Sequence, residues 1–319
     1  MNIRELSIPI LQAPIESTVE LAVAVSEAGG MGSIQGTWKE PAAAAKLVDA
    51  VIQKTSNPFF VNFVLSFRPQ ALKAVIEAGA PAVTFSWGIA PELIEFAHSK
   101  NVAVGVQVGT ADGAKAAVLY GADFLICQGI EAGGHVQSTI ELTTLLPQVV
   151  SAAAEVPVFA AGGLATGADI AWAIRMGASG VMLGTRFVAT KESNAHQLYK
   201  EAILASSASD TVYTLCFDGG WPQAAHRVIR NQTLNRWEDA GCPPRGMRPG
   251  EEDVVARDGS DYEVKRYGFN KPVKSISGDN VGDWCLYAGT SCDKITDIPA
   301  ASEIVSRLWQ ESQNAKQTL

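Results

Sequence analysis

No apolar run in this 319-residue chain reaches the length of a membrane span, because Gly, Pro or a charge interrupts each one. The opening residues, Met1-Asn2-Ile3-Arg4-Glu5-Leu6, lack a basic stretch followed by an apolar one, so the sequence reads as cytoplasmic, with no membrane partner. Basic blocks are missing too. With 25 Lys and Arg against 33 Asp and Glu, a formal charge of -8, nothing is available to neutralise a row of phosphates, and a nucleic-acid partner is excluded. Cysteine is sparse and unpaired in pattern. Cys127, Cys216, Cys242, Cys285 and Cys292 are odd in number and contain no C-x-x-C, which excludes a disulfide framework and a zinc site; no metal is expected.

What is present is 47% hydrophobic residues, enough for a sizeable core, arranged in a repeating order. Short β-branched or apolar runs fall near Ile8–Gln12, Met31–Gln35, Phe59–Phe63, Ala82–Ser86, Val102–Gln107, Phe124–Gln128, Val156–Ala160 and Gly180–Gly184. Between them lie amphipathic stretches such as Pro69–Ala78, Pro91–Lys100 and Thr166–Met176. Strands alternating with helices call for a parallel sheet with crossover helices. Pro69 and Pro91 suit the first helical position, and Gly79-Ala80, Gly121-Ala122 and Gly177-Ala178 each end a helix before the next strand. Eight such units predict an α/β fold, a (β/α)8 TIM barrel over residues 1–205, with an open doubly wound sheet as the alternative. Residues 206–319 change character: Gly, Pro, Trp and charge dominate, and Trp221, Trp237 and Trp284 are too apolar to leave in water. A loop-rich extension is expected there, acting as a lid or a subunit contact in a homodimer, and ending in an amphipathic helix over Pro299–Ser312 that packs back on the barrel.

In a barrel, ligands sit at the C-terminal ends of the strands, and phosphates commonly sit after the seventh and eighth. Those positions hold Ala160-Ala161-Gly162-Gly163 and Met182-Leu183-Gly184-Thr185, where glycine frees backbone N–H groups and Thr185 adds a hydroxyl. Tight turns alone would also use such glycines. After the sixth strand, Gln128-Gly129-Ile130-Glu131-Ala132-Gly133-Gly134-His135 brings an imidazole to the same end, suited to taking a proton from carbon. Glu131 reads as the carboxylate that orients this loop, and His98, His196 and His226 as structural or surface residues. Gln12-Ala13-Pro14-Ile15, Asn62 and Gln107 add hydrogen-bonding groups that fit a heteroaromatic ring.

The set Gln12-Ala13-Pro14, Ala28-Gly29-Gly30-Met31-Gly32, Val61-Asn62-Phe63, Glu131-Ala132-Gly133-Gly134-His135, Ala160-Ala161-Gly162-Gly163 and Gly184-Thr185-Arg186-Phe187, in this order, resembles the nitronate monooxygenase family, formerly 2-nitropropane dioxygenases. The resemblance resumes from Tyr287-Ala288-Gly289 to Trp309. It implies an FMN-dependent oxidoreductase that uses O2 on a small-molecule nitronate, with His135 as base. The implied cofactor contacts are Ala13, Pro14, Ile15, Asn62, Gln107, Gln128, Gly133, Gly134, Ala161, Gly162, Gly163, Met182, Leu183, Gly184 and Thr185. Flavin-dependent enoyl-acyl-carrier-protein reductases and quinone reductases look similar, so NAD(P)H-dependent reduction is the alternative, and a non-redox phosphate-binding barrel the second. The sequence departs from the family at Ile15, at Thr84-Phe85-Ser86-Trp87-Gly88 and across Asp210–Asn280, which bears on the substrate.

Overall fold

A computed structural model describes residues 2–257, 263–278 and 280–317. Nine strands lie in the first part of the chain: β1 (Ile10–Gln12), β2 (Gly32–Gln35), β3 (Phe59–Val64), β4 (Ala82–Ser86), β5 (Ala103–Val108), β6 (Phe124–Gln128), β7 (Gly134–His135), β8 (Val158–Ala161) and β9 (Gly180–Leu183). All except β7 form one parallel sheet in the order β1-β9-β8-β6-β5-β4-β3-β2. Its two edges meet. The Gln12 N–H donates to Met31 O and the Met31 N–H to Ile10 O, each at 3.0 Å, so a bridge from Leu11 to Met31 closes the barrel.

Strand alternation divides the core into two layers. Leu11, Met31, Phe60, Phe124, Ile126, Phe159 and Met182 fill the barrel, with Phe124 and Phe159 meeting edge-to-face at 5.9 Å. Ile10, Val61, Val83, Val104, Leu125, Val181 and Leu183 face outward and are covered by the helices. Helix boundaries follow local chemistry. Gly79, Gly121 and Gly177 take φ of +94°, +90° and +94°, the left-handed residue that ends a helix. Pro91 begins the helix Pro91–His98, and Thr166 with Asp169 forms a capping box on the helix Gly167–Arg175. The third helix differs from expectation: it spans Leu72–Glu77, and Pro69 lies in the turn before it, its carbonyl accepting the Leu72 N–H.

The terminal helix, Ala301–Gln317, inserts Ala301, Ile304, Val305 and Leu308 into the layer between sheet and helices, touching both the helix Gly167–Arg175 and the helix Val19–Glu27. It therefore completes the ring, and residues 206–300 run from the helix Gln197–Ala205, which follows β9, to that closing helix. Within that stretch, β10 (Thr211–Thr214) pairs with β11 (His226–Ile229), and β11 pairs antiparallel with β7. A hairpin of β12 (Val254–Arg257) and β13 (Glu263–Lys265) adds a small core of its own, with Phe217, Leu234, Val255, Tyr267, Trp284 and, at its edge, Trp237. Two of the three tryptophans thus stabilise the extension itself; Trp221 lies elsewhere.

Candidate active site

At the C-terminal ends of the strands the apolar filling gives way to amides. The Thr84 hydroxyl donates to Asn62 Oδ1 at 2.9 Å, leaving the Asn62 NH2 without a partner among the described residues. Gln107 Nε2 donates to Gln128 Oε1 at 3.1 Å, and Gln128 Nε2 donates to the His135 carbonyl at 3.2 Å. This amide chain fixes the backbone of His135. The pairing of β7 with β11 places His135 opposite His226. Behind the loop, Arg227 donates from Nε and Nη2 to the Ile130 carbonyl, and the Glu131 carboxylate accepts the Leu142 N–H at 3.0 Å.

These groups face a cavity of about 280 Å³. Ala13, Pro14, Ile15, Asn62, Gln107, Gln128, Gly133, Gly134, His135, Ala161, Gly162, Gly163, Met182, Gly184 and Thr185 all line it. Leu183 does not: on β9 it alternates with Met182, so its side chain enters the outer core while its carbonyl accepts the Ala13 N–H.

One end of the cavity is made of backbone. Gly162 and Gly163 turn with φ of +113° and +70°, and the N–H groups of Gly162, Gly163, Gly184 and Thr185 engage no acceptor among the described residues. Four unengaged donors on residues that line one cavity can serve an anion such as phosphate. Thr185 Oγ1 accepts the Gly289 N–H at 3.0 Å, so its own hydroxyl proton remains available. Among the cavity glycines outside the turn, Gly133 and Gly184 differ in kind. A Cβ on Gly133 would lie 2.5 Å from Gly289 N, so the fold itself requires that glycine. A Cβ on Gly184 would meet nothing nearer than Ala13 Cβ at 3.5 Å, and φ there is −107°, so the fold itself does not require glycine at that position.

The other end is made of side chains, several from the extension. Trp221 stacks on His135 with centroids 4.2 Å apart and planes at 26°. Phe269, Asn270, Lys271 and Tyr287 also line the cavity, with Gln35, Trp38 and Trp87 from the barrel loops. The Lys271 ammonium sits 3.7 Å from Glu16 without a hydrogen bond; burial lowers its pKa and Glu16 opposes that shift. His135 Nε2 is likewise buried and bonded to nothing among the described residues. Burial pushes the His135 pKa down to about 3, with neighbouring His226 adding to the effect, so its imidazole is neutral at physiological pH. His226 is fully buried rather than on the surface, and its tautomer is fixed. Nε2 accepts the Phe217 N–H at 3.2 Å, so Nδ1 carries the proton toward the Ala224 carbonyl at 2.9 Å. With both nitrogens engaged, His226 is structural, whereas His135 keeps a lone pair to use.

A closed barrel with a cavity at the C-terminal strand ends, lined by an unpartnered imidazole and an anion cradle, defines a (β/α)8-barrel enzyme. The chain belongs to the nitronate monooxygenase family, whose model matches residues 68–311. A probable nitronate monooxygenase of Staphylococcus saprophyticus is 32% identical over 89% of this chain and 88% of its own length. The putative monooxygenase Rv1533 of Mycobacterium tuberculosis is 37% identical over 49% of this chain, a match that spans 41% of that protein. An indene-4-carboxyl-CoA dehydrogenase of Rhodococcus jostii is 32% identical over 69% of this chain and 62% of its own length, so the chain spans well under the full length of several curated relatives. Among solved structures, FabK from Thermotoga maritima superposes with a TM-score of 0.84 at 29% identity, covering 99% of this chain and 96% of that one.

Proposed function

We propose that the cavity holds FMN and that the enzyme oxidises nitronates, or the nitroalkanes from which they form, with O2 to a carbonyl compound and nitrite. The observation that carries this reading is the neutral, unpartnered His135 on the wall of a cavity that also holds an anion cradle. The phosphate would take the N–H groups of Gly162, Gly163, Gly184 and Thr185, and the ring system the amides of Asn62, Gln107 and Gln128. Bound flavin supplies the electron acceptor.

His135 does the proton chemistry. A neutral imidazole has its lone pair free, and removal of the α-proton of a nitroalkane creates an anion beside the imidazolium that forms. That anion supplies the counter-charge that burial otherwise denies, so the proton transfer becomes favourable only with substrate in place. The stack on Trp221 and the β7–β11 pairing hold the ring in one orientation.

Anaerobic titration of the FMN-loaded protein tests this reading. Nitronate is expected to bleach the flavin absorbance and NAD(P)H to leave it intact. Rapid bleaching by NADH or NADPH with no response to nitronate overturns the proposal in favour of a reductase, and a protein that takes up no FMN favours a non-redox binding barrel.

A further inference from the structure

Apart from the stack of Trp221 on His135, base and cradle leave a cluster of aromatic rings unaccounted for. Trp38, at the rim and 46% exposed, meets Phe67 at 5.2 Å, Phe269 at 5.6 Å and Trp221 at 6.4 Å. Trp221 in turn meets Trp87 at 4.8 Å and Phe67 at 5.1 Å while stacking on His135. The rings come from the loops after β2, β3 and β4 and from two points of the extension, and all except Phe67 line the cavity. These contacts are tilted or edge-to-face, with interplanar angles from 59° to 73°.

Three observations separate this cluster from ordinary core. Trp38 stays half in water at the mouth of the cavity although buried apolar positions lie close by. Trp87 takes φ of +60°, a left-handed conformation unfavourable for a bulky L residue, followed by Gly88 at φ +154°. Strain of this kind persists where the surrounding structure holds a side chain for a purpose. Finally, the fold brings Trp87, from a barrel loop, and Trp221 and Phe269, from two separate points of the extension, together beside His135.

We propose that these rings form a stacking box for the planar ring of the substrate, so that the enzyme prefers an aryl-bearing nitronate to a short alkyl one. The head group of that substrate rests on the nitronate reading above; its ring rests on the box alone. Aromatic faces and edges attract a further ring beyond the area it buries, whereas an alkyl chain gains burial only.

The test separates binding from turnover. Nitrobenzene and 2-methyl-2-nitropropane both lack an α-hydrogen and cannot react, and calorimetry on the FMN-loaded protein compares their affinities. Nitrobenzene is expected to bind roughly tenfold tighter, with most of that preference lost in Trp38→Leu and in Trp221→Leu. In parallel, kcat/KM for the nitronates of phenylnitromethane and nitroethane should show the same ring preference and the same loss. Equal affinities, or a preference that neither variant changes, overturn the box. Turnover of both nitronates without ring preference sinks the box and leaves the nitronate reading standing. Ring-selective binding that Trp38→Leu abolishes, without turnover of either nitronate, supports the box and rejects the nitronate reading. Trp38 is a rim residue, so its variant is expected to fold even if Trp221→Leu disturbs His135.

Discussion

The two ends of the cavity are built on different principles. The cradle end uses peptide N–H groups on turns directly after β8 and β9, so its geometry comes with the barrel and depends on side chains only through glycine's lack of one. The His135 end uses side chains brought together from loops and from residues more than eighty positions away, such as Trp221 and Phe269. A backbone site is stiff and tolerant of sequence change around it; a side-chain site is where one substitution alters chemistry or specificity.

The contrast can be broken hardest at His135. His135→Ala should lower turnover of a neutral nitroalkane by about 10²–10⁴-fold and that of the preformed nitronate by less, measured by steady-state kinetics on both forms. Equal losses would remove the base role. Next come the two kinds of glycine. Gly133→Ala forces backbone against backbone at Gly289 and should destabilise the protein by about 1–3 kcal/mol in denaturant unfolding. Gly184→Ala should leave the melting temperature of the flavin-free protein unchanged but weaken FMN binding by about tenfold, read by fluorescence titration. Were Gly184→Ala to destabilise the flavin-free protein instead, its glycine would belong to the fold and the distinction would collapse.

The smallest effects concern pH. Because the free-enzyme imidazole of His135 is pushed down to about 3, kcat/KM for the nitroalkane should show no inflection near 6.5, the ordinary histidine value. Linkage fixes the sign for stability. The unfolded chain binds a proton at His135 below about 6.5 while the folded protein does not until about 3. That contribution is fully present above the unfolded value and is lost as pH falls toward the folded one. In His135→Asn the fall in stability between those limits should be shallower, as chemical denaturation at a series of pH values would reveal.

What was legible in the sequence follows the same division. The barrel, its glycine turns and most of the cavity lining could be located because strand order and strand ends are local patterns, and the Gly-Ala repeats mark helix ends one by one. The Leu183 side chain lies off the cavity because a strand alternates faces, a period that a motif read as a unit hides. His226 gave no signal of its burial beside His135, since only the pairing of β11 with β7 creates it. Trp221, Phe269, Lys271 and Tyr287 reach the cavity through an irregular segment with no period to read. Gly289 and Ser291 carried a faint clue: the Tyr287-Ala288-Gly289 run stood out, but its place against Thr185 depended on the tertiary fold.

The helix Ala301–Gln317 has one more consequence, for how the molecule assembles and comes apart. It sits between the first and seventh helices of the ring, so the helical layer closes only when a segment beyond the whole extension returns to its start. Such a long closure is entropically slow and must precede the burial of Ile304, Val305 and Leu308 that rewards it. For the same reason a protease that nicks the exposed turn near Met247 should not release the extension. Both fragments are expected to stay clasped in one particle, parting only when the barrel itself unfolds, as gel filtration of the nicked protein would show.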